Sequence, residues 1–362
     1  MPSPTRAVIQ DIVLPPFDPL NRRAAELRAQ GHRVISLGQA VPYFPPPEAA
    51  IQAARTALDA PDVHRYATDP GLPTLRTALA ERLAAMAGTR IVNDDVIITA
   101  GANHAFTLAL ATLVDPGDEV ILPGPYFTNH QMAVRRQGAI AVEAPVADRE
   151  SFSVRWSDIQ PYLSLWTKAI VLCNPSNPTG APIDPAEGAH WSAASLRAWR
   201  ENVVVIGTFS KSFGMMGWRV GFLLADAAIC EQAIKVQDEM IICAPAISQI
   251  MAEAAVRESW NYPASFHDEL RTRRRILADG LSKIPCARWT PTSGGMFTFV
   301  QIDGCTDSTQ LSNELLDVAH LVTIPGAAFG QSGEGFLRLS YGYAGAAELV
   351  EATERLRQFF AR

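Results

Sequence analysis

Short apolar runs recur between residues 96 and 224, and each closes on glycine, proline, serine, threonine or asparagine. They are Val96-Ile97-Ile98-Thr99, Glu119-Val120-Ile121-Leu122, residues 168–173, Val203-Val204-Val205-Ile206 and residues 220–224, with helical stretches such as 103–113 between them. That alternation predicts an α/β fold, a mostly parallel sheet with helices on both faces. Past about residue 245 the pattern changes to long helical stretches with few strands, among them 296–300 and 336–340, which predicts a smaller α+β lobe. A length of 362 residues, 48% of them hydrophobic, is enough for two domains with a sizeable core. Ligands of open α/β sheets sit at the carboxyl ends of strands, so the punctuating residues are the first candidates for a site.

One strand end stands out. Thr208-Phe209-Ser210-Lys211 follows the β-branched run 203–206, and Gly214, Gly217, Arg219 and Gly221 follow in turn. A buried strand should deliver Lys211 into a water-poor cleft, where desolvation and nearby cations lower an amine's pKa and free its lone pair to attack an aldehyde. The hydroxyls of Thr208 and Ser210 with the Arg219 guanidinium make a small anion site. Two plainer readings compete. A lysine near a strand end is ordinarily solvated. A nucleotide loop needs a glycine directly before the lysine, and Ser210 stands there.

Residues 208–221 resemble the lysine segment of the fold type I pyridoxal-phosphate enzymes, specifically the class I aminotransferases: a Ser-x-Ser-Lys-like run, then glycines and an arginine, with Thr208 at the first hydroxyl. The resemblance implies a fold type I PLP-dependent transferase with a large domain over 38–275 and a small one from 1–37 plus 276–362, the N-terminal residues folding back onto the C-terminal lobe. It implies pyridoxal 5'-phosphate as cofactor, joined to Lys211 as a Schiff base, with Thr208, Ser210 and Arg219 on its phosphate.

Other segments carry the resemblance along the chain. Gly101-Ala102-Asn103 lies between a strand and a helix, where free N–H groups favour a phosphate, although most such turns are structural. Tyr66 matches a tyrosine that reaches the partner subunit's phosphate, which implies a homodimer; otherwise it is a half-buried tyrosine before a turn. Phe127, in Pro125-Tyr126-Phe127-Thr128-Asn129-His130, matches the ring that stacks on the pyridine, though it suits a core as well. Asn177, in Asn174-Pro175-Ser176-Asn177-Pro178-Thr179-Gly180, matches the donor to the cofactor's phenolic oxygen. Arg338, inside Phe336-Leu337-Arg338-Leu339-Ser340, matches the clamp on the substrate α-carboxylate, with Gly38 beside it; a surface strand arginine is the plain alternative.

One piece of the pattern is absent. The family carries a helix and a strand ending in Asp-x-x-Tyr before the lysine strand, the aspartate holding the pyridine nitrogen protonated. Here thirty residues separate Gly180 from Lys211, too few for a βα unit of roughly 30 residues plus the lysine strand. Asp184-Pro185-Ala186-Glu187 starts the family's helix, and Ala189-His190-Trp191 resembles the segment on the far side of the missing strand, so the break falls near Gly188. His130 matches the residue that would bond the lost aspartate.

The function implied is amino transfer from an L-amino acid to a 2-oxo acid. A lyase, cyclase or arginine-type oxidase on the same scaffold is the alternative, and the absent acid leaves open a non-catalytic protein. A net charge of −6 argues against nucleic acid or an anionic membrane as partner, and no apolar stretch approaches the ~18 residues that span a bilayer. The opening Met-Pro-Ser-Pro-Thr-Arg has no apolar core behind it, which points to the cytoplasm. Five scattered cysteines read as reduced core residues, and no histidine–carboxylate cluster suggests a metal.

Overall fold

The structure, a computed structural model, describes residues 5–183, 193–291 and 294–362. The described residues fall into two compact units. One comprises Phe44–Asp115 and Ala186–Phe266, the other Met1–Tyr43, Pro116–Pro185 and His267–Arg362.

The unit that carries the lysine is built on three strands, with Gly221–Leu224 between Val96–Thr99 and Val205–Thr208 and antiparallel to both. Thr99, Gly221 and Thr208 share one row of this register, so the carboxyl ends of the two outer strands open on the same side. Alternation along Val96–Thr99 sends side chains both ways. Val96 and Ile98 join a core with Leu75, Leu79, Met251 and Ala255 from helices Pro73–Ala87 and Ala246–Glu258, while Ile97 joins Leu108 and Ala233 from Ala102–Leu113 and Ala227–Ile241. Helices therefore cover both faces, as the pattern predicted. Burying each such isoleucine or leucine contributes about 1.5–3 kcal/mol.

The lysine strand begins two residues later than its apolar run. Helical turn Trp199–Asn202 extends far enough for the Val203 N–H to bond the Trp199 carbonyl at 2.8 Å, which takes Val203 out of the ladder. Val205–Thr208 is an edge strand, with no second neighbour among the described residues.

The other unit holds a parallel three-stranded sheet with Glu119–Gly124 at its centre, flanked by Ile140–Pro145 and Thr167–Ile170. The run predicted over 168–173 leaves the ladder at Ile170, and a last bond from Val171 N–H to the Ile121 carbonyl, 2.9 Å, precedes the Asn174-Pro175 turn. Thr167–Ile170 is again an edge. A four-stranded antiparallel sheet runs Ile324–Pro325, Phe336–Ser340, Phe297–Ile302, Ala287–Arg288. Near the N-terminus, Ile35–Ser36 pairs in parallel with Leu321–Val322.

No Asp-x-x-Tyr strand occurs among the described residues. The break near Gly188, with Asp184 and Glu187, lies outside them.

Candidate functional site

The shared end row of the lysine unit gathers three backbone segments. Gly221 is hemmed in: a Cβ there would lie 2.7 Å from the Gly207 carbonyl oxygen and 3.0 Å from the Ala102 nitrogen. Gly101 holds φ +85°, and a Cβ on it would come within 2.6 Å of Arg219 Nη2. Only glycine lets the guanidinium approach the start of helix Ala102–Leu113, whose first N–H groups have no side-chain cap. Arg219 itself adopts a left-handed backbone, φ 49°, and donates to the carbonyls of Met216 at 2.9 Å and Ala100 at 3.5 Å. Among the described residues it has no carboxylate partner. The Thr208 and Ser210 hydroxyls bond each other at 2.9 Å, and Ser210 N–H donates to Thr208 Oγ1 at 3.2 Å.

Helix-end amides, two hydroxyls and an arginine form the donor set of a phosphate, held in a cradle that a Cβ would fill. Gly101, Ala102, Asn103, Thr208, Ser210 and Arg219 thus come together within one unit. Lys211 is exposed, between buried Phe209 and Phe213. The water-poor surroundings expected for it are not supplied by the described residues. Tyr66, after the turn Pro61–His64, is 77% exposed.

The second cluster lies wholly in the other unit, around Arg338. All five residues of Phe336–Ser340 are buried, and burial pushes the Arg338 guanidinium down to about 10. Nη1 donates to Asn177 Oδ1 at 2.9 Å, Nη2 donates to the Gly38 carbonyl at 2.7 Å, and Nε is buried without a partner. An arginine has five N–H donors, so these two bonds engage only part of the fork and leave donors for a carboxylate. Gly38 is fixed by its neighbour: Leu37 N–H bonds the Val322 carbonyl at 2.9 Å, and the Leu37 carbonyl accepts from Ser340 N–H at 2.7 Å. A Cβ on Gly38 would press on Val322 Cγ1 at 2.9 Å. Asn177, expected to face a phenolic oxygen, uses its carbonyl oxygen on Arg338 and keeps its N–H groups for another partner.

Phe127 and His130 line a cavity with Cys173, Asn177 and Thr179. Their rings meet edge to face at 5.4 Å. Desolvation pushes the His130 imidazole down to about 4, so it is neutral near pH 7. Among the described residues no cluster of histidine, cysteine, aspartate and glutamate is placed to hold a metal, no helix is long and apolar enough to cross a membrane, and the five cysteines are unpaired.

Sequence reasoning missed Phe17. Its ring, with those of Phe297 and Phe329, lies 5.7, 5.3 and 5.0 Å from the Arg338 guanidinium carbon. No local pattern links residues 321 positions apart.

The family model for aminotransferase class I and II matches residues 32–191 and 186–356, two stretches that meet where the break was expected. An aspartate aminotransferase of Pyrococcus abyssi is 31% identical over 93% of this chain and 94% of its own. That alignment extends over 369 positions, more than the 362 residues here, so part of the relative has no counterpart. An aromatic-amino-acid aminotransferase of Thermococcus litoralis is 31% identical over 91% of this chain and 92% of its own. The solved alanine aminotransferase of Pyrococcus furiosus matches with a TM-score of 0.91 at 27% identity, covering 99% of each chain.

Proposed function

The chain belongs to the aminotransferase class I and II family, and from that premise we propose the role each site residue plays. Its activity is pyridoxal-phosphate-dependent amino transfer between an amino acid and a 2-oxo acid. The bound cofactor supplies an electron sink that acidifies the amino acid's Cα–H. Thr208, Ser210, Arg219 and the amides of Gly101, Ala102 and Asn103 hold its phosphate, Phe127 covers its ring and Asn177 donates to its phenolic oxygen. Arg338, with Gly38 beside it, binds the α-carboxylate, and the Lys211 amine takes the Cα proton and returns it. Tyr66 serves the partner subunit's phosphate in a homodimer. Residues 38–275 form the cofactor domain and 1–37 with 276–362 the smaller one. The enzyme resides in the cytoplasm, which its recovery in the soluble fraction of its own cells would check.

Arg338 is the observation that carries this reading: a deeply buried cation with no carboxylate among its described partners needs an anion from a ligand. Purified protein mixed with the cofactor should show a visible band that borohydride bleaches. Lys211→Ala should abolish the band and lower transfer to a 2-oxo acid by at least about 10³-fold. Ammonia or peroxide released without an acceptor would mark a lyase or an oxidase instead, and a Lys211→Ala protein unchanged in both band and rate would remove the enzyme reading.

A further inference from the structure

We infer that the amino acid's side chain lies against Phe17, and that the site selects apolar or aromatic monocarboxylates over dicarboxylates. The inference rests on Arg338 binding the α-carboxylate. Helix Phe17–Ala29 buries Leu20, Ala24 and Leu27 in a cluster with Phe329, Val322 and Ile324. Phe17, three positions before Leu20, packs at the rim of that cluster and stays half-buried. Of the three rings around the guanidinium, Phe329 is 0% and Phe297 8% exposed, so Phe17 is the least buried of them.

Charge points the same way. A substrate with a second carboxylate gains from a second cation near the first, and two arginines of this unit, Arg149 and Arg273, are committed elsewhere. Arg149 lies over the Phe336 ring at 4.9 Å and donates to the Ser332 carbonyl. Arg273 binds Glu269 and the carbonyls of Gly342, Tyr343 and Ala344 while covering the Tyr43 ring at 3.9 Å. A second carboxylate held by Arg338's neighbours would exchange water for phenyl rings, whereas an apolar side chain would bury surface against Phe17.

The test is the donor half-reaction of the holoenzyme, followed by the cofactor spectrum with L-phenylalanine, L-leucine, L-alanine and L-aspartate, in wild type, Phe17→Ala and Phe17→Leu. Wild type should favour phenylalanine over aspartate by at least about 10-fold in kcat/KM. Phe17→Ala should lower the phenylalanine value about 10-fold, mainly through KM, and lower the alanine value less, with Phe17→Leu in between. A preference for aspartate, or an equal loss on every donor in both variants, overturns the inference. If no donor reacts, the aminotransferase reading fails, and the inference is then decided by binding alone. Wild type should bind 3-phenylpropionate at least about 10-fold more tightly than succinate, a margin that Phe17→Ala should cancel; equal binding overturns it.

Discussion

His130 has a titration forced on it by its surroundings. Desolvation lowers its pKa from the ordinary 6.5 to about 4 in the folded chain. Between those values the unfolded chain binds a proton that the folded one refuses, so folding stability rises with pH across the window and is flat above it. Acidification from pH 7 to pH 5 should therefore lower Tm, and His130→Gln should shrink that drop, as thermal melts at the two pH values would measure. An equal drop in both proteins would mean that other groups dominate the acid response. The neutral imidazole also bears on chemistry, because it brings no positive charge to the cavity it shares with Phe127 and Asn177.

The decisive element is the strand not found among the described residues. Val205–Thr208 and Thr167–Ile170 each end a three-stranded sheet, and between them in the chain lies the join near Gly188. An edge strand leaves a row of N–H and C=O groups without strand partners. Inserting the Asp-x-x-Tyr helix–strand unit of a relative between residues 183 and 193 should raise Tm by several degrees and kcat by about 10²-fold, the typical worth of a positioned acid. Melting and steady-state rates of the chimera would show it, and an insertion that changes neither would mean the chain has compensated. Much at this scale was legible: Val96–Thr99 and Phe336–Ser340 fall where their β-branched and apolar residues put them. Val203 and Val204 did not, because a preceding helical turn captured the first N–H. The grouping of Thr208, Ser210, Arg219 and Gly221 was readable from hydroxyls and glycines near a lysine. Phe17 was not, since only tertiary packing brings it to Arg338.

At the scale of the whole molecule, the question is what covers the exposed residues of the lysine unit. Tyr66 is exposed, and so are the apolar side chains of Met240 and Ile241 in the same unit. A homodimer would bury such groups, and sedimentation should return about twice the 39.2 kDa chain mass. Tyr66→Phe should then weaken cofactor binding about 10-fold without dissociating the dimer, since it removes one bond to a charged group. A monomeric species with full cofactor affinity would remove the proposal. The parallel pairing of Ile35–Ser36 with Leu321–Val322 sets a different kind of limit, one of timing. The Gly38 carbonyl that steadies Arg338 is seated by partners made almost 300 residues later, at Val322 and Ser340. During synthesis the ribosome must deliver nearly the whole chain before Gly38 and Arg338 can meet. A stalled or prematurely terminated product would leave the N-terminal segment unpaired, open to chaperones and proteases.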